Sequence, residues 1–167
     1  MILETNTQSQ TSSTTAAIDF IKLLYEPGDL ICFAFQSAYS WKQAFRLFED
    51  AIKPETIASL QRSNAAGNNV YVAMNTYKGP KRTEDNIAAV RNVWAEIDSN
   101  GRENLEKVFA SKLVPDPTVI NESSPNKFHV IWKVKDATVE DSKVLLKKIC
   151  EEFHGDPNAT DAARVLR

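Results

Sequence analysis

The stretch from Pro117 to Val134 constrains the fold most. Two β-rich runs, PTVINES and KFHVIWKV, are joined by Ser123-Ser124-Pro125-Asn126, a composition that turns a chain, so the segment reads as an antiparallel hairpin. The period of two along the second strand puts Lys127, His129 and Ile131 on one face and Phe128, Val130 and Trp132 on the other. The second face must pack against another layer, while the first presents a basic residue and an imidazole. A single strand histidine is more often a hydrogen-bonded core residue than a functional one. Lys127 beside it favours an anion site, because a fully buried face tolerates lysine poorly.

A further strand, Val93-Trp94-Ala95-Glu96-Ile97-Asp98, carries two carboxylates on one face and Val93, Ala95 and Ile97 on the other. Like charges a few ångströms apart raise each other's pKa, and a hard divalent cation with oxygen ligands relieves that cost. Taken alone, such a pair is more often two solvated strand-end acids, and only its context raises the metal reading. A third feature is GDPNATDAARVLR. Asp156 and Asp161 fall at loop or helix-start positions, and a last helix capped by Asp161 would set Arg164 and Arg167 three apart on one face, a guanidinium pair suited to a polyanion or simply to solvent.

The rest of the chain supplies a frame of mixed helices and strands, hence an α+β domain. Residues 1–15 are polar and Ser/Thr-rich and read as a flexible arm, with order expected from about Thr15. Ile18, Ile21, Leu24 and Tyr25 recur at helical spacing, Glu26-Pro27-Gly28-Asp29 breaks that helix, and Leu30 to Phe35 reads as a strand. Helices are expected over WKQAFRLFEDAI, from Pro54 to Leu60, from the Thr83 cap of TEDNIAAVRN, and over Glu103 to Ser111. Val70 to Met74 reads as a strand. Thr138 to Phe153 reads as an amphipathic helix with Val139, Val144, Leu145, Ile149 and Phe153 inward. Between Met74 and the next helix, Tyr77, Lys78, Lys81 and Arg82 form a loop suited to a nucleic-acid backbone or to plain solvent.

Composition excludes several classes. With 43% hydrophobic and 25% charged residues the 167-residue chain suits one globular domain, not a disordered or fibrous one. Its net charge of −2 announces no nucleic acid, yet residues 61–167 hold 16 basic and 15 acidic side chains against 4 and 7 before them. Cys32 and Cys150 allow neither a disulfide framework nor a zinc cluster, so a reducing, cytoplasmic setting is expected. No apolar run approaches a membrane span.

In this order, the strand-borne acid pair, the turn with its His-bearing strand and the later acid resemble the three motifs of the archaeo-eukaryotic primase superfamily. More narrowly, residues 67–167 resemble the RepB-type DNA primase or primase-polymerase domain of plasmid, phage and mobile-element replication proteins. The resemblance implies an archaeo-eukaryotic primase fold, with an RRM-like antiparallel palm sheet flanked by helices and a small N-terminal αβ portion. It implies a single catalytic domain over 16–167 that the family continues beyond Arg167. The implied activity is template-directed nucleotidyl transfer that makes short primers on single-stranded DNA by two-metal-ion phosphoryl transfer. Glu96, Asp98 and either Asp156 or Asp161 would hold Mg²⁺ or Mn²⁺, Asp156 ranking slightly first, and Glu96, Asp98 and His129 would be catalytic. Ser124, Asn126, Lys127, His129, Arg164 and Arg167 would bind the nucleoside triphosphate, and a helicase in cis or in trans would be a partner. Glu96 stands where the family more often has Asp, and Lys127 where many members have Ser.

Two other readings compete. A metal-dependent nuclease explains the acids but leaves Lys127, Arg164 and Arg167 without a role. A non-catalytic origin- or single-strand-binding replication domain would keep the fold and lack the chemistry. A relaxase is weak, because His129 and His154 are the chain's two histidines.

Overall fold

The computed structural model describes residues 5–167, with side chains from Ser13 onward. In chain order the elements are α1 (Thr5–Leu24), β1 (Leu30–Gln36), β2 (Trp41–Leu47), α2 (Phe48–Ala51), α3 (Pro54–Ala65), β3 (Asn69–Ala73), β4 (Thr76–Tyr77), β5 (Ile87–Ala89), β6 (Asn92–Ile97), α4 (Gly101–Ala110), β7 (Val119–Ser124), β8 (Lys127–Lys133), α5 (Val139–Phe153) and β9 (Val165–Leu166). Single 3-10 turns lie at Glu84–Asn86 and Pro157–Ala159. The strands make three antiparallel sheets, ordered β2-β1-β3-β9, β4-β5 and β6-β8-β7. Among the described residues no helix is long and apolar enough to cross a membrane.

The expected hairpin is β7–β8, and β6 pairs with the other edge of β8. Val93, Ala95 and Ile97 lie opposite Trp132, Val130 and Phe128, so one face of the β6–β8 pair is apolar. Helix α5 covers it, with Phe153 stacked on Trp132 at 6.1 Å between ring centroids. Thr138 and Asp141 form a reciprocal capping box that fixes where α5 starts. Its buried stripe is Ser142, Leu146, Ile149, Cys150 and Phe153, whereas Val144 and Leu145, expected inside, are 53% and 39% exposed. The stripe rotates toward the smaller residues because Ser142 can be buried without penalty, its hydroxyl donating to the Val139 carbonyl at 2.7 Å. On the other side of the sheet, Trp94 and Ile131 share a core with Ile21 and Leu24 of α1 and Ile31 and Phe33 of β1.

Buried polar groups tie the sheets together. Asn75 accepts from the backbone N–H groups of Arg91 (2.8 Å) and Asn92 (3.1 Å) and donates to the Ala162 carbonyl (3.0 Å). The Asn92 amide donates to the carbonyls of Leu24 and Met74. Arg91 grips Asp29 with two bonds of 2.9 Å and also meets Glu26, joining the start of β1 to the start of β6.

Four expectations are corrected. Trp41 to Leu47 is a strand, because β1 is buried and its edge N–H and C=O groups need a partner; β2 supplies the full ladder from Leu30↔Leu47 to Gln36↔Trp41. TEDNIAAVRN forms one 3-10 turn and then β5, since the Asn86 amide donates back to the carbonyls of Gly79 and Lys81 and holds the loop instead of starting a helix. The C-terminal segment is a turn followed by β9, whose Val165 and Leu166 pair with Ala73 and Val72 of β3. Helix α1 begins at Thr5, ahead of Thr15, because extending a helix already anchored by Ile18, Ile21 and Leu24 takes only one hydrogen bond per residue. Of the expected flexible arm, residues 1–4 lie outside the described residues.

At the start of α4, a Cβ on Gly101 would overlap the Asn126 carbonyl of the β7–β8 turn and come within 2.9 Å of the Phe128 ring. Gly101→Ala should therefore destabilise the protein by about 1–3 kcal/mol, as overpacking against backbone does. Urea denaturation checks this, and an unchanged midpoint would contradict the packing described.

Candidate active site

The β6–β8 register sets Glu96 directly opposite His129, on the sheet face away from α5. His129 is buried and its Nε2 lies 3.7 Å from Glu96 Oε1. Arg164 reaches the other oxygen, Nη2 to Oε2 at 3.1 Å. The His129 imidazole, helped by Arg164, holds the Glu96 carboxyl below its usual range, against the opposing effect of partial burial. One residue beyond β6, Asp98 is half-exposed and pairs with Lys127 at 3.3 Å. The two strands thus place acid–base pairs in successive rows, Glu96 with His129 and Asp98 with Lys127.

The C-terminal segment closes over this face. Its path is pinned to β6 by the Asp156 N–H, which donates to the Glu96 carbonyl at 2.8 Å, and by Trp94 Nε1, which donates to the Ala159 carbonyl at 2.9 Å. Arg164 lies 3.9 Å from Asp156 Oδ2 and 3.9 Å from Asp161 Oδ2, so one guanidinium meets three acids. The two aspartates differ in what else they do. Asp156 caps the Pro157–Ala159 turn, accepting from the Asn158 N–H (2.9 Å) and side-chain amide (3.0 Å), whereas Asp161 lines the cleft. Arg167 donates to Ser124 Oγ (2.6 Å) and to the Ser123 carbonyl (3.1 Å), and its own carbonyl accepts from Asn121.

Together these groups line a cleft of ≈ 700 Å³ between the β6-β8-β7 sheet and the N-terminal sheet. Glu96, Asp98, Lys127, His129, Arg164 and Arg167 all border it, with Ser124 and Asp161. The guanidinium pair is therefore at the cleft although no helix carries it. Five expected residues stand outside its lining: Asp156 in the turn just described, and Asn126, Tyr77, Lys78 and Lys81. Asn126, with φ of 60°, accepts from the Arg102 N–H through its side chain and so anchors α4 to the hairpin turn. Tyr77 is 3% exposed in a second core with Cys32, Ile87 and Val90, and T-stacks on Phe45, so it offers no surface to a template. Of the same loop, Lys78 donates to the Asp85 carbonyl at an exposed position, and Lys81 is exposed and outside the cleft lining. Arg82 does border the cleft, its guanidinium fixed by the Ala163 carbonyl at 2.6 Å.

Gln36, Trp41 and Tyr71 also line the cleft, from β1, β2 and β3. No local signal marks them, since they arrive through strand pairing across 35 residues of chain and Trp41 sits in a stretch whose spacing reads as helical.

The donor set suits a hard divalent cation: carboxylate oxygens from Glu96, Asp98 and Asp161 beside one imidazole, with no thiolate among the cleft-lining residues. Among the described residues, no three His, Cys, Asp or Glu side chains stand together as a group that could hold a metal ion. Glu96 and Asp98 are instead paired with Arg164 and Lys127, on flexible side chains that can withdraw.

Comparison with solved structures agrees with the expected fold. The primase-polymerase AEP domain of cyanophage S-2L superposes with a TM-score of 0.67 at 15% identity, over 90% of this chain and 78% of that one. A crystal structure of primase RepB′ gives 0.66 at 19% identity over 92% of this chain, which spans about half (49%) of that protein. The catalytic domain of primase RepB′, solved in complex with initiator DNA, gives 0.65 at 20% identity over 92% and 74%. Among curated proteins no sequence match is found. The model of the RepB DNA-primase N-terminal domain matches residues 42–167, from β2 through the whole cleft-forming C-terminal segment, and the chain therefore belongs to that family.

Proposed function

We propose that the chain is a primase catalytic domain that joins nucleoside triphosphates on a single-stranded DNA template. The observation that carries this reading is the cleft itself, where acids from the end of β6 and His129 of β8 face two arginines from the C-terminal segment. A nuclease needs the acids but has little use for Arg167 and Lys127, which suit the extra charge of a triphosphate. The solved structures it resembles are a primase-polymerase domain and a primase, whose catalytic domain is in complex with initiator DNA in one of them, and this supports the same reading for this family member.

In this scheme Glu96 and Asp98 hold divalent cations, with Asp161 as the third ligand in preference to Asp156, whose Oδ1 is taken by the Pro157–Ala159 turn. When bound, such ions neutralise the charge that develops on the attacking and leaving oxygens of an in-line phosphoryl transfer. The rest falls to the side chains. Arg167 presents a planar fork beside Ser124 for bidentate phosphate contact, and Lys127 supplies a point charge once it leaves Asp98. His129, fixed in the sheet next to Glu96, donates to a phosphate oxygen from a buried position. His129, with help from Arg164, keeps Glu96 ionised, and Arg164 then neutralises the triphosphate.

Asp98→Asn, at a half-exposed site, should leave thermal stability unchanged and lower primer synthesis by about 100-fold or more, the scale on which losing one transition-state charge contact acts. The assay is oligonucleotide formation from ribo- or deoxynucleoside triphosphates on single-stranded DNA with Mg²⁺ or Mn²⁺. Undiminished synthesis would contradict the assignment. Arg167→Ala should raise KM for the nucleoside triphosphate by roughly 10-fold or more, as losing a charge-assisted phosphate contact does, with a smaller change in kcat. Lys81→Ala, outside the cleft lining, should change neither.

A further inference from the structure

The cleft has a second wall that the catalytic scheme does not use. Strand periodicity puts Gln36, Trp41 and Tyr71 on one face of the β2-β1-β3 sheet, and all three border the cleft. Trp41 stacks on Tyr71 with ring centroids 5.2 Å apart and planes 29° from parallel. Tyr71 is held in turn, its hydroxyl donating to Gln36 Oε1 at 2.7 Å, with the Asn69 amide donating to the same oxygen at 3.4 Å. The lower ring is therefore fixed, while Trp41 remains 52% exposed. An exposed indole on the edge strand of a sheet, supported from below by a second aromatic, is costly in water and matches what a nucleobase covers.

The geometry points to Trp41, on its Tyr71 support, as a stacking platform for an unpaired base of the single-stranded template. This rests on the primase reading of the cleft, and three observations favour the strand as occupant. The platform is continuous with the cleft that holds Glu96 and Asp98. Arg82, Lys127, Arg164 and Arg167 border the same cleft and give a polyanion a basic path. Aromatic residues on an open sheet face are the common device for holding successive bases without regard to sequence. Tyr39, 98% exposed in the turn just before Trp41, extends the aromatic surface outward. The assigned role is template positioning, with no part in the reacting atoms.

The chain's own fluorescence reports on the platform, since Trp94 and Trp132 are buried at 1% and 4% exposure and Trp41 is the third tryptophan. Titrating the full chain with an oligothymidylate should quench tryptophan emission, and Asp98→Asn should keep that quenching. Trp41→Phe should lose most of the signal while binding close to wild type, because a phenyl ring still stacks. Trp41→Ala should bind the labelled strand about 5- to 100-fold more weakly in anisotropy titrations. Nucleoside triphosphate alone should not quench. Wild-type affinity in Trp41→Ala would overturn the proposal, as would quenching by free triphosphate without quenching by the strand. Loss of strand binding in Trp41→Ala, alongside a wild-type chain that makes no oligonucleotide from ribo- or deoxynucleoside triphosphates, would instead keep the platform and defeat the primase reading.

Discussion

The site depends on the register between β6 and β8. A slip of β6 by one residue against β8 would turn Glu96 toward α5 and bring Ala95 or Ile97 out beside His129, so the core cannot form without the site forming too. The register is held by the apolar face, where Trp132, Val130 and Phe128 meet Val93, Ala95 and Ile97 beneath α5. Packing on one side thus sets the chemistry on the other. A partly buried carboxylate beside a buried imidazole would otherwise be expensive, and here both sit on a sheet that cannot move without opening the core.

A second constraint brings the two halves together. The buried amides of Asn75 and Asn92 and the Arg91–Asp29 pair lock the N-terminal sheet to the start of β6. From the other end, β9 adds to β3 while Asp156 and Trp94 tie the preceding loop to β6. The C-terminal segment therefore spans both sheets. Its Arg164 meets Glu96, Asp156 and Asp161 where the sheets face each other, and the cleft is a product of this crossing and of no single motif.

What sequence reasoning captured was whatever a local period or a compact motif encodes. The β7–β8 hairpin follows from its turn, and the shared face of Glu96 and Asp98 from a period of two. The start of α5 follows from Thr138 and Asp141. Arg164 and Arg167 reach the cleft, as the resemblance implies, but not on one helix face, since β9 and a turn stand where a helix was expected. Other features were decided by distant partners. Trp41 to Leu47 has helical spacing, yet the exposed edge of β1 made it a strand, and only that pairing carries Trp41 to Tyr71. Tyr77 and Asn126 looked available in a loop and a turn, but core packing took the first and the start of α4 took the second. Between Asp156 and Asp161 the sequence reading slightly favours Asp156, whereas in the folded chain Asp156 caps the Pro157–Ala159 turn and Asp161 lines the cleft.

The central claim is that the cleft between the sheets holds metal on its acids and triphosphate on its bases. Crystals grown with Mn²⁺ and a non-hydrolysable nucleoside triphosphate test it through the anomalous signal of manganese. The account predicts manganese between the carboxylates of Glu96, Asp98 and Asp161, with Arg164 withdrawn from Glu96 and the triphosphate along Lys127, His129 and Arg167. Manganese bound away from Glu96 and Asp98, or a triphosphate seated outside this cleft, would contradict it.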